Sequence, residues 1–229
     1  GLDPWSRDAA PLTRTLLTPP SWIYAALTAR RIRRTAPQKV DATVICIGNL
    51  TAGGTGKSPV VSALRDLLAE RLKMRVATLS RGYGGSLKGP LQVDPGKHTS
   101  EDVGDEPLML AQKGESWIGR DRGQAGAAMS DAGAELILMD DGHQNPTLFK
   151  DVSILVVDAE SGFGNGYVIP KGPLREPETV GLARATLIMA MGNGDLPPSV
   201  EQSGKPMFRA IITPTQSPPT GPYVAFAGI

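Results

Sequence analysis

The sequence is poor in most of what would mark a secreted, fibrous or nucleic-acid-binding chain. It has one cysteine, Cys46, and two histidines, His98 and His143, in 229 residues. A single cysteine excludes an internal disulfide framework and fits a reducing compartment. Cys46 lies in the apolar run ATVICIG, where it reads as a buried strand residue. The formal net charge is only +1, and no long basic stripe offers a duplex footprint, so no nucleic-acid partner is expected. Apolar runs are short, well under the roughly 20 residues that cross a bilayer. No cleavable signal peptide is recognisable, and internal repeats are absent. What remains is a chain long enough to bury a full core as one domain with a small appendage.

Composition divides it into three parts: residues 1–39, 40–195 and 196–229. In the first, apolar residues fall on a helical period, and Pro19-Pro20 is expected to hold the helix start to about Ser21. Trp22, Ile23, Tyr24 and Leu27 precede Arg30, Arg31, Arg33 and Arg34. That order suits an amphipathic helix at an anionic membrane surface, and equally a helix packed on the domain with solvated arginines. The central part alternates strand-like runs (ATVICIG, RVATLS, AELILMD, VSILVVD, ATLIMAM) with helical patterns such as SPVVSALRDLLAERLK. Near-continuous Val/Ile/Leu strands joined by helices predict an α/β fold, a mostly parallel sheet covered on both faces. The third part is rich in Pro, Gly, Thr and Ser but keeps two strand-like pieces, PMFRAIIT and YVAFAGI.

The chemistry concentrates at GNLTAGGTGKSP, between the first strand and the first helix of the core. Glycine-rich turns aim backbone N–H groups at phosphate oxygens, and the helix that follows adds its positive end. Thr51, Ala52, Gly53, Gly54, Thr55, Gly56, Lys57 and Ser58 form the candidate phosphate loop, although Thr51 stands where G-x-x-x-x-G-K-[ST] has glycine. Lys57 is placed to reach the β- and γ-phosphates and Ser58 to ligate Mg²⁺. Such a loop needs a carboxylate at a neighbouring strand end, and ELILMDDGHQN supplies Asp140 and Asp141. Three further segments, SRGYGG, VGDEP and PKGPLREP, are either structural turns or parts of the site, and spacing alone does not decide between these.

Together these motifs resemble the tetraacyldisaccharide 4'-kinase family of lipid A biosynthesis. The likeness runs from about Leu12 to the last residue and adds GNGYVIPKGPLREP and the arginine-rich segment to the motifs above; threonine is also usual at the first loop position there. It implies a P-loop kinase fold, with ATP and Mg²⁺ as cofactors. The implied reaction is γ-phosphoryl transfer to the 4'-hydroxyl of an acylated glucosamine disaccharide 1-phosphate, at the cytoplasmic face of the bacterial inner membrane. It further implies that Asp105 is the base for the acceptor hydroxyl, with Lys57 and Asp141 beside it in catalysis. Ser58, Glu106 and Asp140 would serve the metal, and Arg81, Tyr83, Gln144 and Arg175 would lie near the lipid headgroup. The family continues into a C-terminal lobe carrying a histidine partner for the base. Neither His98 nor His143 occupies that motif, so residues 196–229 are expected to be only the start of that lobe. Rival readings are a P-loop NTPase switch, although MGNGD lacks the lysine of a guanine-specific N-K-x-D element, and a non-catalytic nucleotide- and membrane-binding module.

Overall fold

The computed structural model describes Trp5 and residues 11–53 and 56–213. Its sheet is built from β1 (Thr43–Gly48), β2 (Val76–Ser80), β3 (Leu91–Gln92), β4 (Ser116–Ile118), β5 (Leu136–Asp140), β6 (Val152–Asp158), β7 (Leu187–Met191) and β8 (Met207–Ala210), in the spatial order β3-β4-β2-β5-β1-β6-β7-β8. Only β3 runs antiparallel to its neighbour. The five apolar runs of the central part all form strands, as does the middle of PMFRAIIT, which pairs with β7 in the same sheet. YVAFAGI lies outside the described residues.

Side chains of the central strands alternate between two packed faces. Ile47, Leu136, Leu138, Ile154 and Val156 face α2 (Lys57–Leu72), which contributes Val60 and Val61. On the opposite face, Val44, Cys46, Ile137 and Met139 pack on Ala125 and Met129 of α5 (Arg122–Asp131). Further along that face, Leu155, Val157, Ile188 and Ala190 meet Leu182 of α6 (Glu178–Arg184) and Val200 of α7 (Pro198–Glu201). Burial on both faces explains why these strands carry continuous apolar runs instead of alternating with polar residues. Cys46 is fully buried, and burial pushes its thiol up to about 11, consistent with the structural role expected of it.

The N-terminal helix departs from expectation. α1 spans Pro11–Arg34 and passes through Pro19 and Pro20 instead of starting after them. A proline's fixed φ fits a helix; what it removes is an N–H, and it crowds the preceding turn. Contacts outside the helix oppose that loss. Ser21 Oγ lies 2.9 Å from Leu17 O and 2.8 Å from Val168 O, its one proton shared between these carbonyls, and it accepts from Lys171 N at 3.1 Å. Lys171 Nζ donates to Thr18 Oγ1 at 3.0 Å. The helix is thus docked on one side, while Leu16, Trp22, Ile23 and Leu27 stay exposed.

The order of β5, β1 and β6 sets up the site. The chain leaves β1 through α2 to β2, and β5 then fills the gap between β1 and β2. The ends of β1 and β5 lie side by side in register, Ile47 beside Asp140. At that edge Gly48 has no room for a side chain, since a Cβ there would sit 2.6 Å from His143 Cβ and 2.9 Å from His143 N. Gly48→Ala should therefore destabilise the protein by about 1–3 kcal/mol in urea unfolding. A change within a few tenths of a kcal/mol would show that the β1 edge tolerates the methyl group.

Candidate active site

The phosphate loop leaves β1 and is clasped before it turns. Asn49, fully buried, donates from Nδ2 to Thr51 O at 2.9 Å. Thr51 pairs as an isolated antiparallel bridge with Leu174, Ala52 N donates to Pro173 O at 2.7 Å, and Arg175 N donates to Leu50 O at 2.7 Å. The segment Pro173–Arg175 is therefore a strap bound to the first arm of the loop. Thr51 occupies a strand-like pairing and not a left-handed turn. The positive φ angles fall instead on Gly53 (117°) and Gly56 (75°), where a Cβ would be strained. Gly54 and Thr55 lie outside the described residues. Gly56 caps α2, so Lys57 and Ser58 open the helix with its positive end behind them.

Beyond β5, Asp141 adopts φ 50°, an unusual conformation for a non-glycine residue that turns its carboxylate back toward the loop. Arg175 Nη1 lies 2.8 Å from both Asp141 oxygens, and Lys57 Nζ lies 3.7 Å from Oδ1. Burial alone would raise the Asp141 pKa, but Lys57 and Arg175 outweigh it and hold the carboxyl below the usual range. Asp140 is in the opposite state. It is 3% exposed, its Oδ1 has no partner among the described residues, and its pKa is pushed up to about 7. The largest cause is burial, followed by the charges of Glu106 and Asp141, with Lys57 and Arg122 opposing.

Ser58 Oγ donates to Glu106 Oε1 at 2.9 Å, joining the loop to α4 (Asp105–Ala111). Asp105 and Glu106 stand exposed in the first turn of that helix. The preceding Gly104 (φ 89°) packs against the SRGYGG turn so closely that a Cβ would meet Tyr83 O at 2.4 Å. The three loops whose role spacing leaves open thus all reach the same end of the sheet. Tyr83 is 85% exposed and stands at the rim, and Arg81 is exposed. Gln144 is placed differently from a headgroup ligand in the open cleft. Its side chain is buried, and Nε2 donates to Asn49 O and to Glu176 Oε1, both at 2.9 Å.

The donor set fits a magnesium ion. Ser58 Oγ, Glu106 and the orphaned oxygen of Asp140 flank the loop, and a cation would relieve the mutual repulsion of these acids. Among the described residues no three His, Cys, Asp or Glu side chains form a ready-made cage. Magnesium beside a nucleotide needs none, since phosphate oxygens and waters complete its shell.

A profile of the family described as tetraacyldisaccharide-1-P 4'-kinase matches residues 13–229. The chain belongs to this family. It is 56% identical to the tetraacyldisaccharide 4'-kinase of Hyphomonas neptunium over 228 residues, all of this chain and 68% of that relative. It is 50% identical to that of Maricaulis maris, covering 97% of this chain and 67% of the relative. A crystal structure of LpxK from Aquifex aeolicus in complex with ATP has 30% identity and a TM-score of 0.70, over 86% of this chain and 64% of that one. The mostly parallel P-loop kinase fold expected from the motifs is therefore the fold of this family member.

Sequence reasoning missed Arg122. It begins α5 just beyond the three-residue strand β4, is 3% exposed, and donates from Nη1 to Gly119 O. Burial, then the charge of Arg81, lowers its pKa to about 10, while Asp141 and Asp140 favour its charge. A strand-end position was the available signal, but SWI is too short to read as a strand.

His143 braces the site from below. Its Nε2 lies 2.9 Å from Gly181 O, which can only accept, so Nε2 carries the proton and Nδ1 accepts from Ser153 Oγ at 3.1 Å. Burial, then the charge of Arg184, lowers its pKa to about 4. The unfolded chain takes up that proton near pH 6.5 and the native state only near 4. Stability should therefore fall by on the order of 3 kcal/mol as pH drops through this window. Denaturation of the wild type and His143→Gln between about pH 4 and 7 checks this. An equal pH dependence in both would remove His143 as the cause.

Proposed function

We propose that this chain forms the nucleotide-binding part of a kinase that transfers the γ-phosphoryl group of ATP to the 4'-hydroxyl of a tetraacylated glucosamine disaccharide 1-phosphate. The observation that carries the proposal is the convergence of Lys57, Ser58, Glu106, Asp140 and Asp141 where β1 and β5 end together. Lys57 neutralises charge on the β- and γ-phosphates, and the loop N–H groups and the α2 N-terminus fix their position. Bound with the nucleotide, a magnesium ion would supply positive charge that offsets the charge developing on the phosphates. Ser58, Glu106 and Asp140 would hold it. Asp105, one residue before Glu106, takes the proton of the acceptor hydroxyl as that oxygen bonds to the γ-phosphorus. The bond from phosphorus to the β–γ bridging oxygen breaks, and ADP leaves. Arg175 and Tyr83 border the approach of the headgroup, with Arg81 at the outer edge. Gln144 acts one step back, by tying Asn49, just past β1, to Glu176, just past the strap.

The acceptor is a lipid, and α1 offers a surface for it. No helix among the described residues is long and apolar enough to cross a membrane. Exposed Trp22, Ile23 and Leu27 instead adjoin the arginine-rich end of the helix, Arg30, Arg31, Arg33 and Arg34, a pattern that favours shallow insertion into an anionic bilayer. The proposed location is peripheral, on the cytoplasmic face of the bacterial inner membrane.

Radiolabelled ATP with the acylated disaccharide 1-phosphate tests the reaction. It should be assayed with this chain and with a form extended by the third of the relatives' length that the chain does not span. Label should pass to the disaccharide, and Lys57→Ala should lower transfer by about 100-fold or more. Acceptor-independent phosphate release with an unlabelled disaccharide would support an NTPase switch instead. Replacing Arg30, Arg31, Arg33 and Arg34 with Ser should weaken co-sedimentation with anionic vesicles, each arginine contributing about 1 kcal/mol near the surface. The loss should be largest at low salt, and unchanged sedimentation would leave α1 a purely structural helix.

A further inference from the structure

Away from the phosphate loop, a cavity of about 320 Å³ opens between the C-terminal end of α1, the loop 143–150 and the end of α6. Its polar lining includes Lys150, Arg184, Thr35, Asn145 and Thr186, with the ring of Phe149 beside them, and no carboxylate lines it among the described residues. The catalytic proposal uses none of these side chains.

The charges there are not balanced. Arg184 Nη2 is paired with Glu176 Oε1 at 2.6 Å. Lys150 is half-buried and donates to His143 O at 3.1 Å, and among the described residues it forms no ion pair. An ammonium has three donors, so hydrogen-bonding capacity remains. Burial lowers the Lys150 pKa, the Arg184 charge adds to the effect, and Cys46 and Glu176 oppose it without cancelling it. An anion in the cavity would reverse that cost. The neighbouring donors suit an anion as well. Asn145 turns its oxygen to Thr147 N and Oγ1, which leaves its NH₂ group available. Thr186 Oγ1 accepts from Ser153 N and keeps its own proton to give. His143 stays neutral, with both ring nitrogens engaged, and so adds no charge.

We infer that this cavity binds a phosphate monoester, and that its source is the phosphate at the far end of the disaccharide acceptor, an assignment that rests on the kinase reading above. Placement supports the source. Arg31 Nη2 reaches Gln144 O at 3.4 Å beside the catalytic strap, and Thr35, which lines the cavity, lies four residues further along the chain at the end of α1. His143, which lines the cavity, is followed directly by Gln144, whose Nε2 donates to Asn49 O at the root of the phosphate loop, so consecutive residues join the cavity to the site. The same side of the site continues through Gln144 and Glu176 to Arg184. The volume, at the small end of ligand pockets, suits a sugar phosphate and not a nucleotide. A subsite for the distal phosphate would fix which end of the acceptor faces ATP, so its energy serves orientation.

Two binding measurements on this chain test the assignment. In the first, glucosamine 1-phosphate and glucosamine are titrated while amide shifts of Thr35, Asn145 and Thr186 are followed. The phosphate form should perturb them, the unphosphorylated sugar should not, and Lys150→Met should weaken binding about tenfold or more. Lys150→Arg should retain it, and ATP affinity reports that each variant is folded. No phosphate-dependent shift in the wild type overturns the site, whatever the variants do. In the second, the acylated disaccharide with and without its 1-phosphate is presented in micelles. Tighter binding of the phosphorylated form, lost in Lys150→Met, supports the assignment; equal binding of both would leave a free-phosphate site and overturn its link to the acceptor. Binding of neither disaccharide would count against the kinase reading, while the first titration still decides for or against a phosphate site in the cavity.

Discussion

The bond between Arg175 and Asp141 is the constraint on which the site depends. One guanidinium nitrogen holds both oxygens of a carboxylate whose backbone is in a left-handed conformation. Arg175 belongs to the strap that also holds Leu50 and Ala52 through backbone bonds. The end of β5 and the first arm of the phosphate loop are thereby fastened to a common segment. Neither would be fixed by sheet pairing alone, because both lie just past the last paired residues of their strands. Positioning on this scale matters in phosphoryl transfer, where an error of about 1 Å can cost about 100-fold.

The same interaction sorts two adjacent aspartates into different states. Asp141 is held ionised by Lys57 and Arg175, whereas Asp140, deeper and facing Glu106, gains protons up to about neutral pH. A fixed charge and a carboxylate waiting for a cation are thus built from consecutive residues of one strand end. Lys57 at 3.7 Å from Asp141 is close enough to be steered but not tightly bonded, which leaves its charge available to phosphate.

Much of this was legible in the sequence, and the misses have physical causes. The strands β1, β2, β5, β6 and β7 were visible because a parallel sheet buried on both faces demands unbroken apolar runs. β3 and β4 are two and three residues long and carry no such run. α5 was hidden because RGQAGAAMSD contains two glycines, poor helix formers. Gly126 packs closely there: a Cβ would fall 2.7 Å from the buried Leu148 side chain, which would have to shift. Losing sight of α5 and β4 also concealed Arg122. The phosphate loop was readable despite Thr51, since the pattern's essential glycines are those at left-handed positions. The buried role of Gln144 was not readable, because a motif gives proximity to a site but not the direction of a side chain.

α1 joins these local arrangements to the lipid surface proposed for it. Residues 18 and 21 bind Lys171 just ahead of the strap, while Trp22 and Ile23, next along the helix, point outward. Lys171 also stacks over the Tyr167 ring at 3.8 Å, so the segment entering the strap is held from both sides. A bilayer that held Trp22 and Ile23 would therefore act on the same turn of helix that anchors the strap. Since the strap carries Arg175, attachment at the proposed surface would be mechanically connected to the geometry around Asp141 within a few residues. Two prolines inside α1 are consistent with this arrangement, because the turn they weaken is the one its external bonds to Val168 and Lys171 reinforce.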